Sequence, residues 1–93
     1  MTDKWPTSSE LTQVFLNVLS RLGGSANVTD LDIAVIKELE LSETQLQIMR
    51  SGNRGEIQYR LAWVRTKAKQ NGLITKEADR IWKITDKGRL LAR

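Results

Sequence analysis

The chain contains no histidine and no cysteine. That removes imidazole acid–base catalysis, thiol nucleophiles, disulfides and the ligand sets of zinc sites. No apolar run approaches the ~20 residues of a membrane span, and the opening MTDKWPTSSE has no signal-peptide core, so a soluble cytoplasmic chain with no membrane partner is expected. Carboxylates are the remaining candidates for metal-dependent hydrolysis, and Asp30/Asp32, Glu38/Glu40 and Asp86-Lys87 are the only clusters to inspect. The first two pairs fall in a helical segment whose exposed side accounts for them, and Asp86 reads as a first-turn residue. The expectation is therefore a chain without catalytic residues, metal or cofactor.

What is present is a polarised charge. Residues 1–49 hold 3 basic and 7 acidic side chains, and residues 50–93 hold 12 basic and 4 acidic, so the net +4 conceals a first half at −4 and a second half at +8. With 93 residues, 40% hydrophobic and 28% charged, the chain is one domain spanning 1–93 with one modest core.

Pro6 biases Trp5 away from helical geometry, and residues 1–7 are expected to be flexible. Ser8 or Ser9 is the expected N-cap of a first helix. Its apolar stripe is Leu11, Val14, Phe15, Val18, Leu19 and Leu22, ended by Gly23-Gly24. Val28 is a candidate one-bridge strand. Thr29 and Asp32 resemble a capping box opening a second helix to about Leu39, with Leu31, Ala34, Val35 and Leu39 inward. Ser42 and Gln45 form another box opening a short helix through about Met49, with Leu46 and Met49 inward. Arg50–Gly55 reads as a loop.

A helix over about 56–71 follows. Ile57, Leu61, Val64 and Ala68 share one face; Tyr59, Ala62 and Thr66 fall opposite, Trp63 lies towards the edge, and Gly72 is the stop. Trp63 is expected to pack against the first helix or the preceding loop. The β-favourable runs 73–75 and 80–84, joined by 76–79, predict a hairpin wing over about 73–84, with Trp82 on the inward face beside Ile84. Thr85 caps a closing helix anchored by Leu90 and Leu91. This order predicts an α/β, mostly helical winged helix-turn-helix, with four to five helices and a small two- or three-stranded sheet. A basic half that coincides with a helix and wing is the electrostatic footprint of a duplex-binding surface.

The segment RSGNRGEIQYRLAWVRTKAKQNGLI resembles the N-terminal domain of Mrr-type restriction endonucleases: Ser51-Gly52, Arg60, Trp63 and Gly72-Leu73 fall as in that family. The upstream Leu39–Gln45 and the closing Ile84–Gly88 fit as well, so the likeness covers about residues 6–91. Tyr59 stands where an Asn-like residue is expected and Ala62 where Gly is usual. The resemblance implies a winged-helix module that binds double-stranded DNA, sequence- or modification-influenced, to target a nuclease. In family members a nuclease domain follows; this chain is expected to be either an excised domain or a stand-alone relative, of open oligomeric state.

On this reading the N-terminal half of the 56–71 helix enters the major groove and presents Asn53, Arg54, Gln58, Tyr59 and Ala62, with Thr66 further along the same face. Arg65, Lys69, Arg80 and Lys83 hold phosphates and fix register. Ala62 is the candidate contact for a pyrimidine C5-methyl. Two rivals stand beside it: a stand-alone transcriptional regulator using the same DNA face, and a protein-interaction module whose signature is an exposed Tyr59–Trp63 pair.

Overall fold

The computed structural model describes residues 5–51 and 54–93. The elements run α1 (Ser8–Arg21), β1 (Ser25–Asn27), α2 (Val28–Leu39), α3 (Glu43–Gln47), β2 (Met49–Ser51), β3 (Arg54–Gly55), α4 (Glu56–Gln70), β4 (Ile74–Ala78), β5 (Ile81–Ile84) and α5 (Asp86–Leu91). Helices predominate, and β1, β5 and β4 form an antiparallel sheet in that spatial order, giving an α/β fold of the winged-helix kind. No described helix is long and apolar enough to cross a membrane. Trp5 packs against the core edge, and Thr7 is already engaged as a cap.

Helix starts follow the availability of reciprocal partners. Thr7, not Ser8 or Ser9, caps α1, because only Thr7 has a glutamate three residues on: Glu10 N–H donates to its hydroxyl at 3.1 Å and Thr7 N–H donates to the Glu10 carboxylate at 3.2 Å. α2 starts at Val28, with Asn27 accepting from Asp30 N–H at 2.8 Å. The Thr29/Asp32 box does not form, because the helix begins two residues earlier than that box requires and Thr29 lies inside it; Asp32 pairs with Arg65 on α4. The Ser42/Gln45 box does form.

The core joins Phe15, Leu16 and Leu19 of α1 to Leu31 and Val35 of α2, Ile57, Leu61, Val64 and Ala68 of α4, and Ile74 and Ile84 of the sheet. The α4 register matches the expected one at every inward position. Four smaller expectations are corrected. In α3 the inward residue is Gln45, 5% exposed, whereas Leu46 and Met49 face out. The capping box fixes Gln45 inward, and a five-residue helix has no second turn to bury Leu46. The chain then turns at Ile48, and the expected loop contains a small antiparallel pair, β2 with β3. At the end of the chain Leu90 is 85% exposed and Leu91 also faces outward. Gly88 takes the place against Leu73 and Ile84, and Ala92, the C-cap of α5, is partly buried on the core. Leu22, the last residue of the expected α1 stripe, is an exposed C-cap.

Gly88 makes that approach possible. A Cβ there would strike the Leu73 carbonyl oxygen and come within 2.7 Å of Ile84 Cγ1. Since backbone cannot yield as a flexible side chain does, Gly88→Ala is expected to cost about 1–3 kcal/mol. Urea unfolding measures this, and an unchanged midpoint would show that α5 is free to lift away.

Candidate nucleic-acid interface

The basic half of the chain folds into β3, α4, the β4–β5 wing and α5, with Arg50 on β2, so its charge is collected around one helix. Several of these cations are already neutralised. Glu56, in the first turn of α4, is nearly buried and accepts from Arg50 Nη1 at 3.3 Å and Arg60 Nε at 2.9 Å. The Arg60 guanidinium also lies 4.6 Å from the centre of the Trp5 ring. A carboxylate in the first turn suits the positive end of the helix dipole. Here it also ties β2 and α4 together.

Arg65 donates to Asp32 Oδ1 at 2.6 Å, with side chains only 14% and 16% exposed. This pair fastens α4 to α2 across the helix-turn-helix. Removing one partner of a largely buried pair leaves the other uncompensated, so Arg65 carries a structural duty that the sequence did not reveal.

The outward face of α4 stays largely open to solvent, bordered by β2 at Tyr59 and by the wing at Lys69. Gln58, Thr66, Lys67 and Lys69 are exposed, while Tyr59 and Ala62 are half-buried. The Gln58 amide folds over Gly55, where a Cβ would meet it. The Thr66 hydroxyl donates to the Ala62 carbonyl at 3.0 Å and keeps its lone pairs outward. Tyr59 is held between two neighbours: the Arg50 guanidinium 4.3 Å from its ring centre, and Trp63 edge-on at 6.4 Å between centroids, 70° between planes. The Trp63 indole N–H, as a donor to the phenolate, holds the Tyr59 hydroxyl below its ordinary pKa; Arg50 acts in the same direction, and burial and Glu56 oppose it. A more acidic hydroxyl is a stronger hydrogen-bond donor.

Trp63 departs from expectation. It borders a groove against Ser8, Leu11 and Thr12 of α1 but remains 52% exposed. Its angular position, four residues after Tyr59 on the outward side, is the signal that favours exposure.

Asn53 lies outside the described residues. Arg54 is placed by its backbone in β3, immediately before α4. Ala62, Arg65, Thr66 and Lys69 converge, with Gln70 and Trp82, on an open cleft of about 580 Å³ between α4 and the wing. Lys69 Nζ stands 5.9 Å from the Trp82 ring centre. Arg80 and Lys83 do not join this cleft. Arg80 occupies the turn at φ 61° and donates to the Thr29 hydroxyl at 3.3 Å, while its carbonyl accepts from Val28 N–H at 2.8 Å. Lys83 opposes Thr75 and Ser25 on the other side of the sheet from Trp82. Lys76, which the sequence placed in the joining turn, instead stands opposite Trp82 in β4.

Among the described residues no group of three or more carboxylates converges. Asp30 accepts from Asn27 Nδ2 at 2.8 Å, and Glu38 pairs with Arg21 at 3.2 Å.

Helices α1, α2 and α4 around one core, with α4 fastened to α2 by the Arg65–Asp32 pair and the β4–β5 hairpin beside it, define a winged-helix domain. The Mrr N-terminal domain family matches residues 9–93, and the chain belongs to that family, which associates it with Mrr-type restriction systems. No curated protein and no solved structure matches it.

Proposed function

We propose that residues 1–93 act in the cytoplasm as one duplex-DNA-binding domain that delivers an Mrr-type nuclease to specific or modified DNA. The observation that carries this reading is the largely open outward face of α4, which runs from Gln58 and Tyr59 to Lys69 and opens beside the wing. A polar helix face flanked by cations is what a major groove accepts, base edges meeting the first turns and phosphates the later ones. Gln58, with Arg54 and Asn53 just ahead, takes the base-reading role; Tyr59 and Thr66 supply hydroxyls; Ala62 meets a C5-methyl; Lys69 holds a phosphate. Arg65 acts through its clamp on Asp32, orienting the helix.

Titration against methylated and unmethylated duplexes, and against duplexes of differing sequence, tests the reading. Gln58→Ala is expected to shrink the affinity ratio between the best and worst duplex by about 1–3 kcal/mol, and Arg54→Ala likewise. Lys69→Ala is expected to weaken all duplexes alike. Equal losses for Gln58→Ala on every duplex would leave that residue positional only.

One observation favours a second reading. The exposed Trp63, edge-on to a half-buried Tyr59, with Ile48 and Met49 also exposed, suits a protein partner, the nuclease domain included. A stand-alone regulator would use the same DNA face, and the complete reading frame separates it from nuclease targeting.

A further inference from the structure

We infer that the cleft between α4 and the wing holds one sugar–phosphate strand of a DNA duplex, with Trp82 under the deoxyribose and the ammonium groups of Lys69 and Lys76 on neighbouring phosphates, and that Lys83 takes no part. This rests on the duplex-binding reading above.

The sheet register decides it. Directly opposed residues of an antiparallel pair point to the same side. Ile74 opposes Ile84, and both are buried in the core. Two residues further along each strand, Lys76 opposes Trp82 on that same side. Trp82 in turn opposes Ala26, which also packs on the core. The side that faces α4 therefore carries, beyond its apolar base, one indole with one lysine beside it. From α4, Lys69 reaches the same indole. Lys69 thus approaches this indole from α4 and Lys76 stands cross-strand from it at the edge of the cleft, with Thr66 and Gln70 completing the wall. An indole face suits the apolar side of a deoxyribose. A lysine ammonium held near that face keeps its remaining hydrogens for an anion.

The competing cations of the wing lie elsewhere. Lys83 shares the far side of the sheet with Thr75 and Ser25, and the Ser25 hydroxyl donates to Glu77 Oε2 at 3.3 Å, placing a carboxylate on that side. Arg80 is fastened to the start of α2. Lys76 has its own carboxylate, Asp79, at 3.9 Å, but both side chains are largely exposed, and so long a solvated pair yields readily to a phosphate.

Anisotropy titrations of a labelled duplex at several salt concentrations test the assignment. Lys76→Ala is expected to weaken binding about fivefold to tenfold near ~0.1 M salt and to reduce the salt slope by about 1. Lys76→Arg is expected to keep wild-type affinity, and Lys83→Ala to stay within about twofold of it. Melting midpoints equal to wild type verify that the variants are folded. In the Trp5→Phe/Trp63→Phe background, where Trp82 is the remaining indole, its emission is expected to change on duplex addition. Wild-type binding with Lys76→Ala unaffected, or with Lys83→Ala as damaging as Lys76→Ala, overturns the assignment and leaves duplex binding intact. Unchanged Trp82 emission overturns the sugar contact. A wild-type domain that binds no duplex at low salt sinks both readings.

Discussion

Raising salt from about 50 to about 200 mM is expected to weaken duplex binding about 250- to 1,000-fold, a log–log slope of about −4 to −5. The slope counts phosphates neutralised, and α4 with its preceding strands and wing presents cations for about 4–6 of them. The structure sharpens which ones. Arg50 and Arg60 share Glu56, and Arg65 is committed to Asp32. The slope is therefore carried mainly by Lys69, Lys76 and their neighbours at the later turns of α4. A slope shallower than about −2 would remove the phosphate clamp and favour the protein-partner reading built on Tyr59 and Trp63.

Leu61→Ala is expected to destabilise the domain by about 2–5 kcal/mol. Leu61 is fully buried at the middle of α4, facing a core contributed by α1, α2 and the sheet. Truncation leaves a cavity that these close-packed elements cannot all follow inward. Native stability is only about 5–15 kcal/mol, so the loss is a large share, and the midpoint should fall by roughly 4–8 °C for each kcal/mol. Gln70→Ala, on the opposite face, should stay within about 0.5 kcal/mol. Calorimetry on the two variants checks the register directly. A Leu61→Ala midpoint equal to wild type would reverse the helix and every outward assignment with it.

The register of α4 was legible because four apolar residues repeat at helical spacing from Ile57 to Ala68 in a helix of fifteen residues, long enough to leave one solution. Short elements gave less. In α3 two apolar residues were expected inward, yet the capping box turned Gln45 to the core instead. In α5 the leucines were the obvious anchors, but the sheet approaches too closely for a side chain, and Gly88 is what fits. The wing was visible as two β-favourable runs. Its turn was not: it tightens onto Asp79 and Arg80, and Arg80 takes a left-handed conformation with no Gly or Asn to announce it. Moving the turn moves Lys76 out of a loop and onto the α4 side of β4.

The sequence by itself determined the helical core, the order of helices and wing, and the concentration of positive charge in residues 50–93, because periodicity and composition are properties of the chain. Tertiary structure decided which of those charges face outward unspent. Glu56 and Asp32 lie 6 and 33 residues from the arginines Arg50 and Arg65 that they hold, separations with no helical or strand periodicity to reveal them. Strand register likewise set Lys76 and Lys83 on opposite sides of one sheet, since a side chain's face follows from its cross-strand partner and a one-residue shift reverses it.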